Sequence, residues 1–235
     1  MSSPGAGRVT AQRPKRGRSG IPGHWGPRWS AKVGWFLARV VWRTRVLGRA
    51  NVPATGPVII AGNHTGVVDG PVLLGVSPRR LHIMVKEEMF RGAVGAILRA
   101  AGQIPVDRAS GRAALATARA ILARGDCVGI FPEGSRGGGG VDEVHGGVAW
   151  LALNSAAVVV PAAVLGTRRS GESVSKVPGF RRCLVVEFGN PVRVERLPGE
   201  SGRAALVRAG EVIRVALADT VAGAAAKHGI ALPRD

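Results

Sequence analysis

The chain predicts an α/β domain built on a largely parallel, mixed sheet flanked by helices, and three observations carry that reading. From residue 57 onward, short Val- and Ile-rich runs alternate with helix-like runs. The strand-like runs are apolar along their length instead of alternating with polar residues, as strands covered on both faces are. Polar residues gather just past the ends of several of them, where open parallel sheets place their ligand sites.

Taken in order, the run Val58-Ile59-Ile60 reads as a strand and 71–76 as a short helix. A second strand at 81–85 is followed by a helix over 88–101, and a short strand at 103–106 by a helix over 112–123. The run 127–131 is a strand, 183–188 the last clear one, and 203–226 a closing helix. Residues 146–166 hold twenty-one positions without a charge, long enough to raise the question of a membrane span. Their two halves differ: 147–154 is helix-like, whereas Val158-Val159-Val160 is β-branched and Asn154-Ser155 breaks the run. A buried helix feeding a buried strand accounts for both halves. Four consecutive glycines at 137–140 mark a mobile loop.

Ahead of this domain (51–235) the composition changes. Residues 1–28 are Gly, Pro, Ser and basic residues, the signature of a disordered tail. Residues 29–50 follow as an amphipathic segment, helix-like over 29–47. At 100° per residue, Arg28, Lys32, Arg39 and Arg43 fall within roughly 60° of arc. Val33, Leu37, Val40 and Val41 occupy a different face, with Trp35 and Trp42 on its flank. An apolar face, a basic stripe and flanking indoles describe a helix lying in a membrane interface; packing on the domain is the alternative.

The charge points the same way. Thirty-three basic residues against fifteen acidic ones give +18, and the first fifty residues hold eleven of the basic ones and no acid. Such a segment seeks a polyanion, either nucleic acid or an anionic membrane surface, although Arg-, Ala- and Gly-rich composition also follows from genome bias. No nucleic-acid-binding module is present, so no nucleic-acid partner is expected. The two cysteines, Cys127 and Cys183, lie far apart in apolar runs without metal-ligand spacing, as buried free thiols of a reducing compartment do. No signal-like apolar stretch precedes residue 29, which favours the cytoplasmic face.

Three blocks carry chemistry. Strand 58–60 runs into Asn63-His64-Thr65-Gly66-Val67-Val68-Asp69. An imidazole titrates near neutrality and can take the proton of an alcohol attacking a carbonyl, while a carboxylate on its other nitrogen fixes the tautomer. Five residues apart, His64 and Asp69 cannot share a helical face, so His64 belongs in the turn and Asp69 at the start of the next helix. Asp69 before Gly70-Pro71 also suits a plain helix cap. The second block pairs Lys86 with Arg108, each after a strand-like run, as a phosphate grip or as ion-pair partners of Glu88 or Asp107. The third, Phe131-Pro132-Glu133-Gly134-Ser135-Arg136, ends strand 127–131 and is either a close-approach anion site or a polar turn. There is no G-x-S-x-G elbow, phosphate loop or dinucleotide loop, which leaves direct attack by an alcohol.

In this order, with Val159-Val160-Pro161 as a fourth block, these residues resemble the glycerophospholipid acyltransferase family, and within it the 1-acylglycerol-3-phosphate acyltransferases, over residues 45–194. The resemblance implies the glycerolipid acyltransferase-like fold, with His64 as general base and Asp69 as its orienting partner. Arg108, Glu133, Gly134, Ser135 and Arg136 would shape the acceptor's glycerol phosphate site, Lys86 would support it, and Pro161 would wall the acyl or thioester site. Gly66 stands where relatives usually carry serine, so one hydrogen bond is either absent or supplied by Thr65. Residues 137–140 and His145 replace a region that often holds a bulkier or basic residue. The family implies no cofactor and no metal, with acyl-CoA or acyl-carrier protein as co-substrate, a lysophosphatidate-type acceptor, and peripheral attachment to the cytoplasmic face of the cell membrane. Another lysophospholipid or a glycolipid as acceptor, a nucleic-acid-binding protein, and a lipid-surface protein without activity are the competing readings.

Overall fold

The computed structural model describes residues 21–107, 111–134, 136–141 and 144–234. Most of the basic tail expected over 1–28 lies outside them. Among the described residues seven strands form one sheet: β1 (Arg43–Leu47), β2 (Val58–Gly62), β3 (Leu81–Lys86), β4 (Ile104–Val106), β5 (Cys127–Ile130), β6 (Val158–Leu165) and β7 (Cys183–Phe188). Six α-helices of the described residues accompany them: α1 (Trp25–Phe36), α2 (Asp69–Val76), α3 (Gly92–Ala100), α4 (Arg112–Ala123), α5 (Gly146–Ser155) and α6 (Gly202–His228).

The strand order is β1-β7-β6-β2-β5-β3-β4. All neighbours run parallel except β6 and β7, so β1 and β7 point opposite to the other five. Consequently the carboxyl ends of β6, β2, β5, β3 and β4 share one edge. Central β2 shows why its run is uniformly apolar. Val58 and Ile60 pack with Leu73, Ala38 and Trp42 on one face, whereas Ile59 and Ala61 meet α4, α5 and α6 through Ala118, Leu151 and Ile213 on the other. Helices on both sheet faces force hydrophobic residues at every position, the mark of parallel sheets. The uncharged stretch 146–166 is α5 followed by β6, both inside the domain. Among the described residues no helix is long and apolar enough to cross a membrane. The closing helix α6 begins with Ser201, whose hydroxyl accepts from the Ala204 amide at 3.2 Å, and stops at Gly229 in the left-handed region.

The N-terminal segment departs from expectation. The expected helix over 29–47 is α1 from Trp25, extended by a π-helical turn at Leu37–Val41, and residues 43–47 are strand β1, parallel to β7. The calculated basic stripe therefore ends at Arg39, because Arg43 lies in the sheet. Trp42 is buried and donates its indole N–H to the Pro178 carbonyl at 3.1 Å instead of flanking a helix. The face that α1 and its π-helical turn bury carries small residues, Gly26, Ser30, Gly34 and Ala38, spaced four apart. Gly34 crosses Gly75 of α2 so closely that a Cβ on Gly75 would sit 2.0 Å from the Gly34 carbonyl carbon. The large residues Trp25, Val33, Trp35, Phe36 and Val40 stay exposed. The helix thus packs on the domain and still presents apolar side chains outward. Cys183, expected to be buried, is exposed at the start of β7, whereas Cys127 is buried.

Because only backbone faces backbone at the α1–α2 crossing, Gly75→Val should push α1 off the domain. The expected cost is about 1–3 kcal/mol, read as a lower urea midpoint; an unchanged midpoint would contradict the crossing.

Candidate active site

Three adjacent strands, β6, β2 and β5, deliver the centre of the site. The backbone leaves β2 at Gly62 and turns through Asn63 and His64 before α2 starts at Asp69. Asn63 is fully buried and pins this turn to β6, accepting at Oδ1 from the Val164 amide at 2.7 Å. The Asp69 carboxylate, with no exposure, faces back into the turn. Its Oδ2 lies 2.8 Å from His64 Nδ1 and accepts the Thr65 and Gly66 amides at 2.7 and 2.8 Å. Its Oδ1 accepts the hydroxyl of Thr167, just past the end of β6. Asp69 makes no helix-capping bond with its side chain, so the plain cap alternative does not apply.

The chemistry of these contacts sets directions. An ionised carboxylate only accepts, so His64 carries its proton on Nδ1 and Thr167 donates to Asp69. Thr167 then accepts from the Thr65 hydroxyl, 2.9 Å away. His64 Nε2 is left with its lone pair, and among the described residues it has no hydrogen-bond partner. The imidazole is stacked on Phe131, with centroids 4.3 Å apart and planes 20° apart, and its side chain keeps 15% exposure. It is held in one plane yet open on one side, as a proton acceptor for an incoming group must be.

The block after β5 closes on the same turn. Glu133 Oε1 accepts the His64 amide at 3.0 Å. Gly134 adopts φ +68°, the left-handed region that favours glycine, and the His145 ring lies over the space a Cβ would take, 2.3 Å from it. Arg136 is half-buried next to Gly137, whose amide donates to the His64 carbonyl at 3.0 Å, and Arg136 Nε is buried without a partner. The glycine run expected as a mobile loop is held at two points. Gly137 bonds His64, and Gly139 lies so near Thr65 that a Cβ would come within 2.4 Å of its methyl.

The structure therefore gathers His64, Thr65, Gly66, Asp69 and Glu133 in one hydrogen-bonded unit, with Gly134 and Arg136 beside it. Lys86 ends β3 on the same edge, two strands from β2. Arg108 and Ser135 lie outside the described residues. Two supporting residues went unassigned from sequence, Asn63 and Thr167. Thr167 had one signal, a polar side chain directly after a fully apolar strand run. A Cβ on Gly66 would lie 3.4 Å from the Thr167 hydroxyl. Cys127 takes no part: it sits at the amino end of β5, opposite the site, and burial pushes its thiol up to about 11. No group of His, Cys, Asp or Glu among the described residues is arranged to hold a metal ion.

Residues 43–165 match the model of a family described as acyltransferase. That span runs from β1 to the end of β6 and includes His64, Asp69, Lys86 and Arg136. The chain belongs to the acyltransferase family. It is 32% identical over 168 residues to the 1-acyl-sn-glycerol-3-phosphate acyltransferase of Bacillus subtilis (strain 168), covering 70% of this chain and 83% of that one. The Borreliella burgdorferi protein of the same name is 31% identical, covering 58% of this chain and 56% of its own length. Among solved structures, the 1-acyl-sn-glycerophosphate (LPA) acyltransferase of Thermotoga maritima superposes with a TM-score of 0.61 at 21% identity, covering 81% of this chain and 78% of that one; it shows the shared fold. The chain is thus an O-acyltransferase with the α/β architecture expected from its sequence.

Removing the Asp69 carboxylate leaves two buried amides and a hydroxyl without their acceptor. Asp69→Ala is expected to lower unfolding stability by about 2–4 kcal/mol. His64→Ala, which strands no buried donor, should cost about 1 kcal/mol or less. Equal losses in urea titrations would sink this account of the turn.

Proposed function

We propose that this acyltransferase moves a fatty acyl group from the thioester of acyl-CoA or acyl-carrier protein to the free hydroxyl of 1-acylglycerol-3-phosphate, giving phosphatidic acid. The observation that carries the reading is the 2.8 Å contact between His64 Nδ1 and a buried Asp69, which leaves Nε2 as the basic nitrogen. In this mechanism the acceptor hydroxyl gives its proton to Nε2 as its oxygen attacks the thioester carbonyl. The C–S bond of the resulting tetrahedral intermediate breaks, and the departing thiolate takes the proton back from the imidazolium. Asp69 stabilises that imidazolium without itself being protonated. No acyl-enzyme forms and no metal or cofactor is needed for the transfer.

The acceptor's phosphate suits the half-buried Arg136, whose Nε has no protein partner, with Lys86 as a further cation of this edge. The names of the two acyltransferase relatives favour the same acceptor. A lipid substrate also suits attachment to the cytoplasmic face of a membrane. The exposed Trp25, Val33, Trp35 and Phe36 of α1, with the exposed Arg28, Lys32 and Arg39, are the features that support an anionic membrane surface as partner.

His64→Ala should lower transfer of labelled acyl groups to lysophosphatidate by about 10²–10⁴-fold in a protein with unchanged circular dichroism. Retained transfer would remove His64 from the mechanism. In a panel of acceptors, Arg136→Ala should raise KM for lysophosphatidate and leave a neutral monoacylglycerol unaffected; an equal rise for both would show that Arg136 does not read the phosphate.

A further inference from the structure

The chain between β6 and β7 has a property that the catalytic turn does not explain. Within residues 173–181, Val174, Val177 and Phe180 are 37%, 61% and 75% exposed. Apolar side chains of this size favour burial by roughly 1.5–3 kcal/mol each, so three together in solvent mark a contact surface.

This loop is not loose. Two tight turns shape it, with the Lys176 amide on the Ser173 carbonyl at 2.9 Å and the Arg182 amide on the Gly179 carbonyl at 3.2 Å. Arg182 grips Glu172 through both carboxylate oxygens at 2.6 and 2.7 Å, and Lys176 adds a contact at 3.2 Å. The Pro178 carbonyl accepts the Trp42 indole, and the Arg181 amide donates to the Val41 carbonyl at 2.7 Å. The apolar side chains are therefore held outward by a framework that is already ordered, which lowers the entropic cost of any contact they make.

Two contacts locate the loop. The bond to Val41 joins it to the end of the N-terminal helical segment, where Phe36 and Val40 are also exposed. At its other side the Val174 carbonyl accepts the Val67 amide at 3.1 Å, three residues after His64. The charges around this surface are mostly basic. Arg39, Arg43, Lys176 and Arg181 are exposed, and the nearby acid, Glu172, is taken up by Arg182 and Lys176.

Resting on the membrane reading above, we propose that loop 173–181 is a second lipid-contacting element that inserts Val177 and Phe180 into an anionic leaflet and seats the His64 turn beside it. The occupant is a bilayer surface, since exposed apolar residues ringed by cations match anionic headgroups over acyl chains. The acceptor then reaches His64 from the leaflet without crossing water.

The test compares the full chain with the double variant Val177→Ser, Phe180→Ser and, separately, with Trp35→Ser, Phe36→Ser on α1. Vesicles of phosphatidylcholine alone and with phosphatidylglycerol serve as probes. The loop variant should keep its urea midpoint and its kcat toward a short-chain, water-dispersed acceptor. It should bind anionic vesicles at least tenfold more weakly and show a raised KM for vesicle-embedded acceptor. In the unmodified chain, anionic vesicles should protect the amides of 173–181 from hydrogen exchange. Unchanged vesicle binding by the loop variant, or no protection, overturns the inference. If the α1 variant alone loses binding, the membrane reading stands and the loop is excluded. If the unmodified chain binds neither vesicle, both readings fall. Self-association that the loop variant abolishes, with vesicle binding intact, would make the surface a contact between copies of the chain.

Discussion

The buried carboxylate of Asp69 is the constraint on which the rest of this site depends. A carboxylate taken fully out of water is costly unless donors surround it. Here the His64 ring, two successive backbone amides and the Thr167 hydroxyl supply them. Because two of those donors are backbone amides of the turn itself, the carboxylate dictates the path of residues 64–66. The tautomer and orientation of His64 follow from that path.

Satisfying this one group ties together elements far apart in sequence. Thr167 must sit at the end of β6, so β6 must lie beside β2. Asn63 reinforces the same junction from the other side by binding the Val164 amide. Glu133 and Gly137 grip the amide and carbonyl of His64 from the segment after β5. Parallel pairing of β6, β2 and β5 is what brings three loops to one edge. The acyltransferase fold thus does what its topology allows: three strand ends converge and the His64 imidazole stands among them.

The same edge meets the surface that faces outward. The chain that begins at Thr167 continues into the loop bearing Val177 and Phe180, and it touches both Val67 and the end of the N-terminal helical segment. Catalytic support and the proposed lipid contact are therefore two ends of one connection. α1 adds its exposed indoles because its packing face is made of small residues. A helix that buries Gly26, Ser30 and Gly34 leaves its large side chains on the outward face.

Much of this was readable from residue order alone. Uniformly apolar Val- and Ile-rich runs marked the central strands because burial on both faces leaves no polar alternative. The spacing of His64 and Asp69 placed one in a turn and the other at a helix start, since local geometry admits little else. Periodicity misled at residues 43–47. A basic stripe at helical spacing extends to Arg43 by arithmetic, but pairing with β7, more than a hundred residues away, makes that segment a strand. Cys183 sits in an apolar run yet is exposed where that run begins. Thr167 gained its meaning only from a carboxylate ninety-eight positions earlier. Sequence by itself determined strands β2 to β7, the turn and the residue types gathered at its end, because these rest on local sterics and burial. Tertiary structure decided which donors satisfy Asp69 and which face α1 hides, because both depend on which distant groups are brought within a hydrogen bond of each other.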